Sequence, residues 1–402
     1  MFHKIHMKNI SSLRVVDKLV SQSREWRCGD TVQIVLSQTQ RYYPNYTTLF
    51  VCVLDYLKKI KKVQIVLAGV NSYGRRIGIN EPFNVNNLQQ HMKVTDRVIE
   101  FHDQDEAYKI TQKYIDVLLE SVVCKEGVID TFEWCIYEIL DNVFEHSRAE
   151  KGFVMMQLLP QQHRCLIAVA DAGRGIHKAM YEGSKESQLD AERIWRADHA
   201  IEYSLERGVT SKGKNNQGNG LFGLRSAVEI NGGSLLIHSG RGNWSLMNNE
   251  TRKNYMENRK IINDNAHTTL IDWRLDCRNP VDISQALSSK FSNHNLIEKY
   301  EGEEEYIEIV ASEIEKASGA RQSSAKLRIK IENLINAGAE VIIFNMKGIS
   351  LVSSSFCDEL FGKLYVKLGK NNYKKKIFIH NANPTVGKLI NIAIETRIKT
   401  GI

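Results

Sequence analysis

A chain of 402 residues with 42% hydrophobic and 25% charged residues has the makeup of a globular protein and room for two or three domains. No apolar run reaches the roughly 18 residues a spanning helix needs, and MFHKIHMKNISSLRVVDKL at the N-terminus has no signal-peptide core. Membrane contact is therefore not expected, and a cytoplasmic location is. The net charge of +7 comes from short lysine groups, Lys58-Lys59, Lys61-Lys62 and Lys374-Lys375-Lys376, with no basic stripe interleaved with aromatics. Nucleic acid is thus not an expected partner. The seven cysteines form no C-x-x-C pair and read as reduced core residues, not zinc ligands.

In chain order, residues 1–27 read as a leader with one short helix. TVQIVL (31–36) reads as a strand, 47–60 as an apolar helix and VQIVLAG (63–69) as a strand, together a parallel βαβ unit. Residues 70–104 are polar and poorly periodic, a linker with a short strand or helix. This first module, 1–104, carries no catalytic constellation and reads as a packing or partner-binding element, its pattern compatible with a distant STAS-like fold.

A second domain is expected over 105–280. After an amphipathic helix (106–123), the stripe Val128, Ile129, Phe132, Cys135, Ile136, Ile139, Leu140, Val143 has helical period. On that helix Glu138, Asn142 and His146 are four apart and share a side. A carboxylate beside a core face can orient a water or hydroxyl, and an amide oxygen one turn on can hold a hard cation such as magnesium. Strands at 152–159 and 165–172 form a hairpin, the second ending in DAGRGI (171–176). About 40 charged residues (177–217) follow, then GNGLFGL (218–224), opening a helix that stops at Asn231-Gly232-Gly233. Glycines ahead of a helix let backbone N–H groups approach phosphate oxygens. The frame is not a Walker loop, since no Lys-Ser/Thr pair follows. Strands at 234–239, 243–247 and 267–275 complete the domain, with 248–266 an exposed polar loop.

EILDN, DAGRG and GNGLFG, in this order, resemble the three boxes of the GHKL superfamily of ATPases over roughly residues 105–276. The E-x-x-x-N box is matched by Glu138 and Asn142. The first glycine box is matched by Asp171, Gly173 and Gly175, the second by Gly218, Gly220 and Gly223 with Leu221 between. The resemblance implies an α+β fold, a mixed sheet covered by helices as a GHKL-type α/β sandwich, flanked by smaller α/β modules. It implies ATP and Mg²⁺ as cofactors, with the metal on Asn142 and Glu138 as the catalytic base. Asp171 would read the adenine amine, and Thr268 or Thr269 would reach the base through water. It makes 177–217 a mobile lid, from which Arg207, Lys212 or Lys214 would meet the γ-phosphate.

A third domain, 281–402, begins with an acidic linker containing EGEEEY (301–306). A strand at 339–346, a turn and helix at 352–369, a strand at 375–381 and a helix capped by Asn383 with Pro384 at its first position follow. Residues 339–398 resemble a STAS-like domain, the fold of anti-sigma-factor antagonists, in which a Ser at the strand-to-helix turn is phosphorylated by a GHKL kinase. Here that turn is Val352-Ser353-Ser354-Ser355, with Val352 in place of the family's Asp and Ser355 in place of its Gly. Serines before a helix are good N-caps, which is the simpler reading. No phosphoacceptor-His helix precedes Glu138, so a sensor histidine kinase is not expected. What remains is an ATPase acting as a conformational or oligomerisation switch in bacterial regulation or defence, a serine/threonine kinase of anti-sigma-factor type, or a nucleotide sensor without turnover. A protein partner or homodimer would accompany any of these.

Overall fold

A computed structural model describes all residues except 38–40, 89–91, 186–188, 212–219, 283–284, 287–305, 319–320 and 401–402. It forms two compact units, Met1–Tyr114 with Glu133–Asp276, and Ile115–Phe132 with Cys277–Ile402.

The first unit opens with β1 (Phe2–Met7), α1 (Leu13–Gln22), β2 (Thr31–Leu36), α2 (Pro44–Lys61) and β3 (Gln64–Ala68). Their strands make a parallel sheet in the order β1-β2-β3. Residues 2–7 are thus a strand and not part of a leader: Ile5 and Met7 alternate into the core while the residues between face out, and Ile5 pairs with Ile34. Pro44 takes the first helical position of α2, where its missing N–H costs nothing.

The second sheet explains why α2 is apolar nearly all round. It has eight strands in the order β10-β9-β8-β11-β7-β6-β5-β4. In chain order these are β4 (Phe83–Asn84), β5 (Ile99–Phe101), β6 (Gly152–Leu159), β7 (Arg164–Asp171), β8 (Ser234–Ser239), β9 (Gly242–Met247), β10 (Glu250–Tyr255) and β11 (Thr269–Asp276). Phe153, Met155, Ala168, Ala170 and Leu270 share one core with α2 and the parallel sheet. Helix α2 lies between the two sheets and needs apolar side chains toward both. Small Ala168 and Ala170 sit where it packs on β7. A buried hydrogen bond joins the layers, the Asn45 amide donating to Asp272 Oδ2 at 3.0 Å.

The linker 70–104 holds short elements, as expected, and one expected loop, 248–266, contains a strand. Part of 70–104 supplies α3 (Ser72–Arg76), β4 and β5, and β5 pairs antiparallel with β6. The insert after β9 folds back as β10, all polar and exposed but for Tyr255, so no alternation marked it. A charged edge strand of this kind discourages pairing with other chains.

The helices of this fold are α4 (Gln104–Ser121) and α5 (Val128–Asn142), of which 115–121 and 128–132 belong to the second unit, and α6 (Gly175–Ser184), α7 (Ala197–Ser204) and α8 (Gly220–Asn231). Helix α8 packs on β8 and β11. The expected lid is largely ordered: α6 and α7 bury Met180, Ile194, Ala200 and Tyr203 against one another. Within it, 186–188 and 212–217 lie outside the described residues.

The second unit contains a parallel sheet in the order β12 (Ile307–Ile309), β13 (Ile342–Asn345), β14 (Ile377–His380). Its helices are α9 (Ala311–Ser318), α10 (Arg321–Asn336), α11 (Ser354–Cys357), α12 (Lys363–Lys376) and α13 (Pro384–Thr400). Asn383 Oδ1 accepts the Val386 N–H at 2.9 Å with Pro384 in the first turn, the expected cap. Ser353 caps α11, its Oγ accepting the Phe356 N–H at 3.1 Å. The acidic run at 301–305 lies outside the described residues.

Buried Asn333 ties α10 to the end of α4. Its Oδ1 accepts the Cys124 N–H at 2.7 Å, and its Nδ2 donates to the carbonyls of Leu119 and Val122 at 2.8 and 2.9 Å. The carbonyls at a helix C-terminus have no partner within the helix and need one from elsewhere. Asn333→Ala strands these backbone groups away from water and is expected to lower stability by about 1–3 kcal/mol. Denaturant unfolding of the two chains measures it.

Among the described residues no helix is long and apolar enough to cross a membrane.

Candidate functional site

An open cavity of about 920 Å³ lies in the first unit on the face of the eight-stranded sheet opposite α2. Sheet register assembles its floor. Thr269 pairs with Asp171 and Ile271 with Val169 across β11 and β7, so these four share a face and line the cavity. Leu270 and Ala170, one residue along, point to α2.

Helix α5 makes one wall. Glu138, Asn142 and His146 all line the cavity, as their spacing required. The helix ends in a wider π turn, 143–147, a distortion frequent at functional sites. That turn holds the first glycine box. The Ser147 carbonyl accepts the Arg174 N–H at 3.0 Å. A Cβ on Gly173 would fall 2.3 Å from the Ser147 carbonyl oxygen, so only glycine allows this approach. Gly175 has φ +72°, the left-handed region, and its N-terminal position on α6 is fixed by the Ile176 N–H donating to Ser239 Oγ at 2.8 Å. Buried Arg174 donates its Nε to the His146 carbonyl at 2.8 Å and pairs with Glu182, tying α6 to the π turn.

The start of α8 closes the other side. Gly220 stands so close that a Cβ there would lie 2.9 Å from Glu138 Oε2 and 3.4 Å from Asn142 Nδ2. The start of that helix therefore stands beside the Glu138–Asn142 pair, and a helix N-terminus favours an anion. Leu221 also lines the cavity, and Gly223 is buried one turn further on. Lys214 and Gly218 lie outside the described residues. Of the two threonines, Thr269 lines the cavity and Thr268 does not. Thr268 has φ 63° just before β11, and its carbonyl accepts the Gly240 N–H.

Two carboxylates here hold protons more tightly than usual. Burial pushes the Asp171 carboxyl up to about 6, partly countered by hydrogen bonds from the Gly173 N–H, at 2.8 Å, and Ser147. Burial and the neighbouring Asp141 raise Glu138. His146 goes the other way: burial and the Arg174 charge lower it, so the imidazole is neutral at pH 7. Its Nδ1 lies 2.8 Å from Ser211 Oγ, which anchors Thr210 and Ser211 at the cavity rim.

Several wall residues were given no role in the sequence reading. Ser147 follows directly from His146, but the π turn that aims it inward has no sequence signature. Thr210 and Ser211 sat within a segment expected to be mobile. Ile176, Ala179 and Met180, at helical spacing after the glycine box, did carry a legible signal for α6.

The cavity is open to solvent, so a ligand can enter it. Its chemistry comprises a buried acceptor at one end and a carboxylate, an amide and helix N–H groups at the other. Among the described residues no group of three or more His, Cys, Asp or Glu could hold a metal ion by itself.

The pH consequence can be checked. Above about pH 6 Asp171 is ionised and can only accept hydrogen bonds; below that, one of its oxygens carries a proton. For the ATP expected from the sequence, affinity should fall as pH drops through 6, and Asp171→Asn should remove that dependence. Calorimetric titration across pH 5 to 8 reads the difference.

Residues 323–386 match the family model of a STAS-like domain of unknown function (DUF4325). The C-terminal α/β fold with its Ser353–Ser355 turn is therefore STAS-like. No curated protein and no solved structure matches the chain.

Proposed function

We propose that the first unit binds Mg-ATP in this cavity and works as a GHKL-type ATPase. Nucleotide state would act as a conformational or oligomerisation switch, signalling through the N-terminal parallel sheet, the STAS-like domain and a protein partner or second copy. The observation that carries the reading is the meeting of three sequence-distant groups in one cavity. These are buried Asp171 with its glycine cradle, the Glu138–Asn142 pair, and the glycine-led start of α8.

Each group has a role in that reading. Asp171 accepts the adenine amine hydrogens, which guanine lacks at that position. Thr269, paired opposite Asp171, would reach the same base edge through water. The N–H groups opening α8 hold phosphate oxygens. The described residues fit a cation that arrives with phosphate better than one held by protein alone, since Asn142 offers one amide oxygen and no carboxylate cluster stands beside it. Magnesium bound there would neutralise charge building on the phosphates. Glu138, made more basic by burial and Asp141, orients the attacking hydroxyl and takes its proton. His146, held at Ser211, fastens the rim of the cavity.

A second reading has one observation in its favour. Ser353, Ser354 and Ser355 are exposed at the strand-to-helix turn of the STAS-like domain, so a protein kinase acting on such a serine has an acceptor of the right kind. Against it, Ser353 is already used as a helix cap. Incubation with γ-labelled ATP separates the readings: free phosphate is expected for the ATPase, label on protein for the kinase, and neither for a sensor.

A further inference from the structure

A second pocket, of about 630 Å³, opens on the far side of Gly175 in the same unit, and nothing in the proposed ATPase uses it. His177, Trp195, Arg196, Arg241, Tyr255 and His267 line it. Trp195 is 62% exposed, whereas Trp26, Trp244 and Trp273 are buried and Trp134 half-buried. An indole left in water at a concave site is a feature of ligand-binding surfaces.

The arginines are arranged for an anion. Fully buried Asp198 takes two bonds from Arg196, Nε to Oδ1 at 2.6 Å and Nη2 to Oδ2 at 2.8 Å. The guanidinium is thereby fixed as a plate, 4.6 Å from the Trp195 ring centroid and 5.5 Å from that of Tyr255. Its Nη1 takes no bond among the described residues. Arg241 stands exposed at the β8–β9 turn, its Nη1 3.4 Å from the Tyr255 hydroxyl, and no carboxylate pairs with it among the described residues. Burial lowers the basicity of His267, as do Lys178, His177 and Arg241, against Asp264, which raises it. Guanidinium groups are the side chains best suited to phosphate, and rings beside them supply a stacking face.

We propose that this pocket binds a planar ring bearing a phosphate, the ring against Trp195 and Tyr255 and the phosphate between Arg196 and Arg241. Arg196 is preset by Asp198, so little ordering is required on binding. Two sources share this chemistry, a free nucleotide and a phosphorylated tyrosine side chain.

The test uses the full chain with ATP saturating the first cavity, and titrates phenyl phosphate while following tryptophan emission. Saturable change is expected, with inorganic phosphate binding at least about tenfold more weakly because it lacks the ring. Arg241→Ala, at an exposed turn, should weaken phenyl phosphate about tenfold or more. Trp195→Phe should lose the emission change yet keep binding by calorimetry, since a phenyl face remains. AMP and phosphotyrosine are then compared through the Arg241-dependent part of their response, and the tighter of the two identifies the source. No saturation, an unchanged response in Arg241→Ala, or inorganic phosphate binding as well as phenyl phosphate would each overturn the assignment.

Discussion

Replacing Glu138 with alanine is expected to leave Mg-ATP binding within about threefold of the native chain and to slow phosphate release, or transfer to protein, by about a hundredfold or more. The carboxylate lines the cavity beside the opening of α8, where the terminal phosphate would lie. Burial and the neighbouring Asp141 raise its pKa, which increases its strength as a base. It contributes no donor to the phosphates, so ground-state affinity should barely change. Asn142→Ala, by contrast, should weaken binding and turnover together through the lost cation ligand. Single-turnover kinetics beside equilibrium titration separate the two effects. Native turnover in Glu138→Ala would remove this residue from the chemistry.

A second large effect is expected at Asp171. Asp171→Asn places an amide N–H where the adenine amine needs an acceptor, and should cost about tenfold to a hundredfold in ATP affinity while narrowing the preference over GTP. Stability should move differently. A carboxyl raised to about 6 in the fold, against an ordinary 3.8, contributes stability that is fully present below the ordinary value and lost as pH rises through 6. At pH 8 the native chain therefore carries a buried charge that the amide variant lacks. The variant should unfold no earlier than the native chain there, although it binds ATP worse. Thermal unfolding with and without ATP tests both parts. A loss of stability at pH 8 that accounts for the loss of binding would make Asp171 a structural residue.

Much of this architecture was legible because its signals are local. TVQIVL, VQIVLAG and the Glu138 helix stripe have the periods of their elements, and DAGRGI and GNGLFGL mark turns that glycine alone permits. What escaped depended on partners elsewhere in the chain. FHKIHM is a strand because β2 lies beside it, and IEF at 99–101 because β6 does; three residues carry too little pattern alone. ETRKNY shows no apolar alternation because every residue of β10 but Tyr255 is polar and exposed. The polar segment after Gly175 read as a lid, yet Ile176 and Met180 of α6 pack with Ala200 and Tyr203 of α7, a pairing that no local pattern announces. In the cavity itself, the Glu138–Asn142 spacing was readable from helix geometry. The choice of Thr269 over Thr268 was not, because it rests on register against Asp171. The all-apolar character of α2 was plain, but its cause, a second sheet on its other face, was not.

Hydrogen exchange on the full chain, with and without magnesium and a non-hydrolysable ATP analogue, tests the central claim most directly. The predicted result is coordinated protection of three segments far apart in sequence, 138–147, 171–176 and 220–224, with less protection from ADP. Absence of protection at these three, or protection confined to other parts of the chain, would contradict a nucleotide site in this cavity.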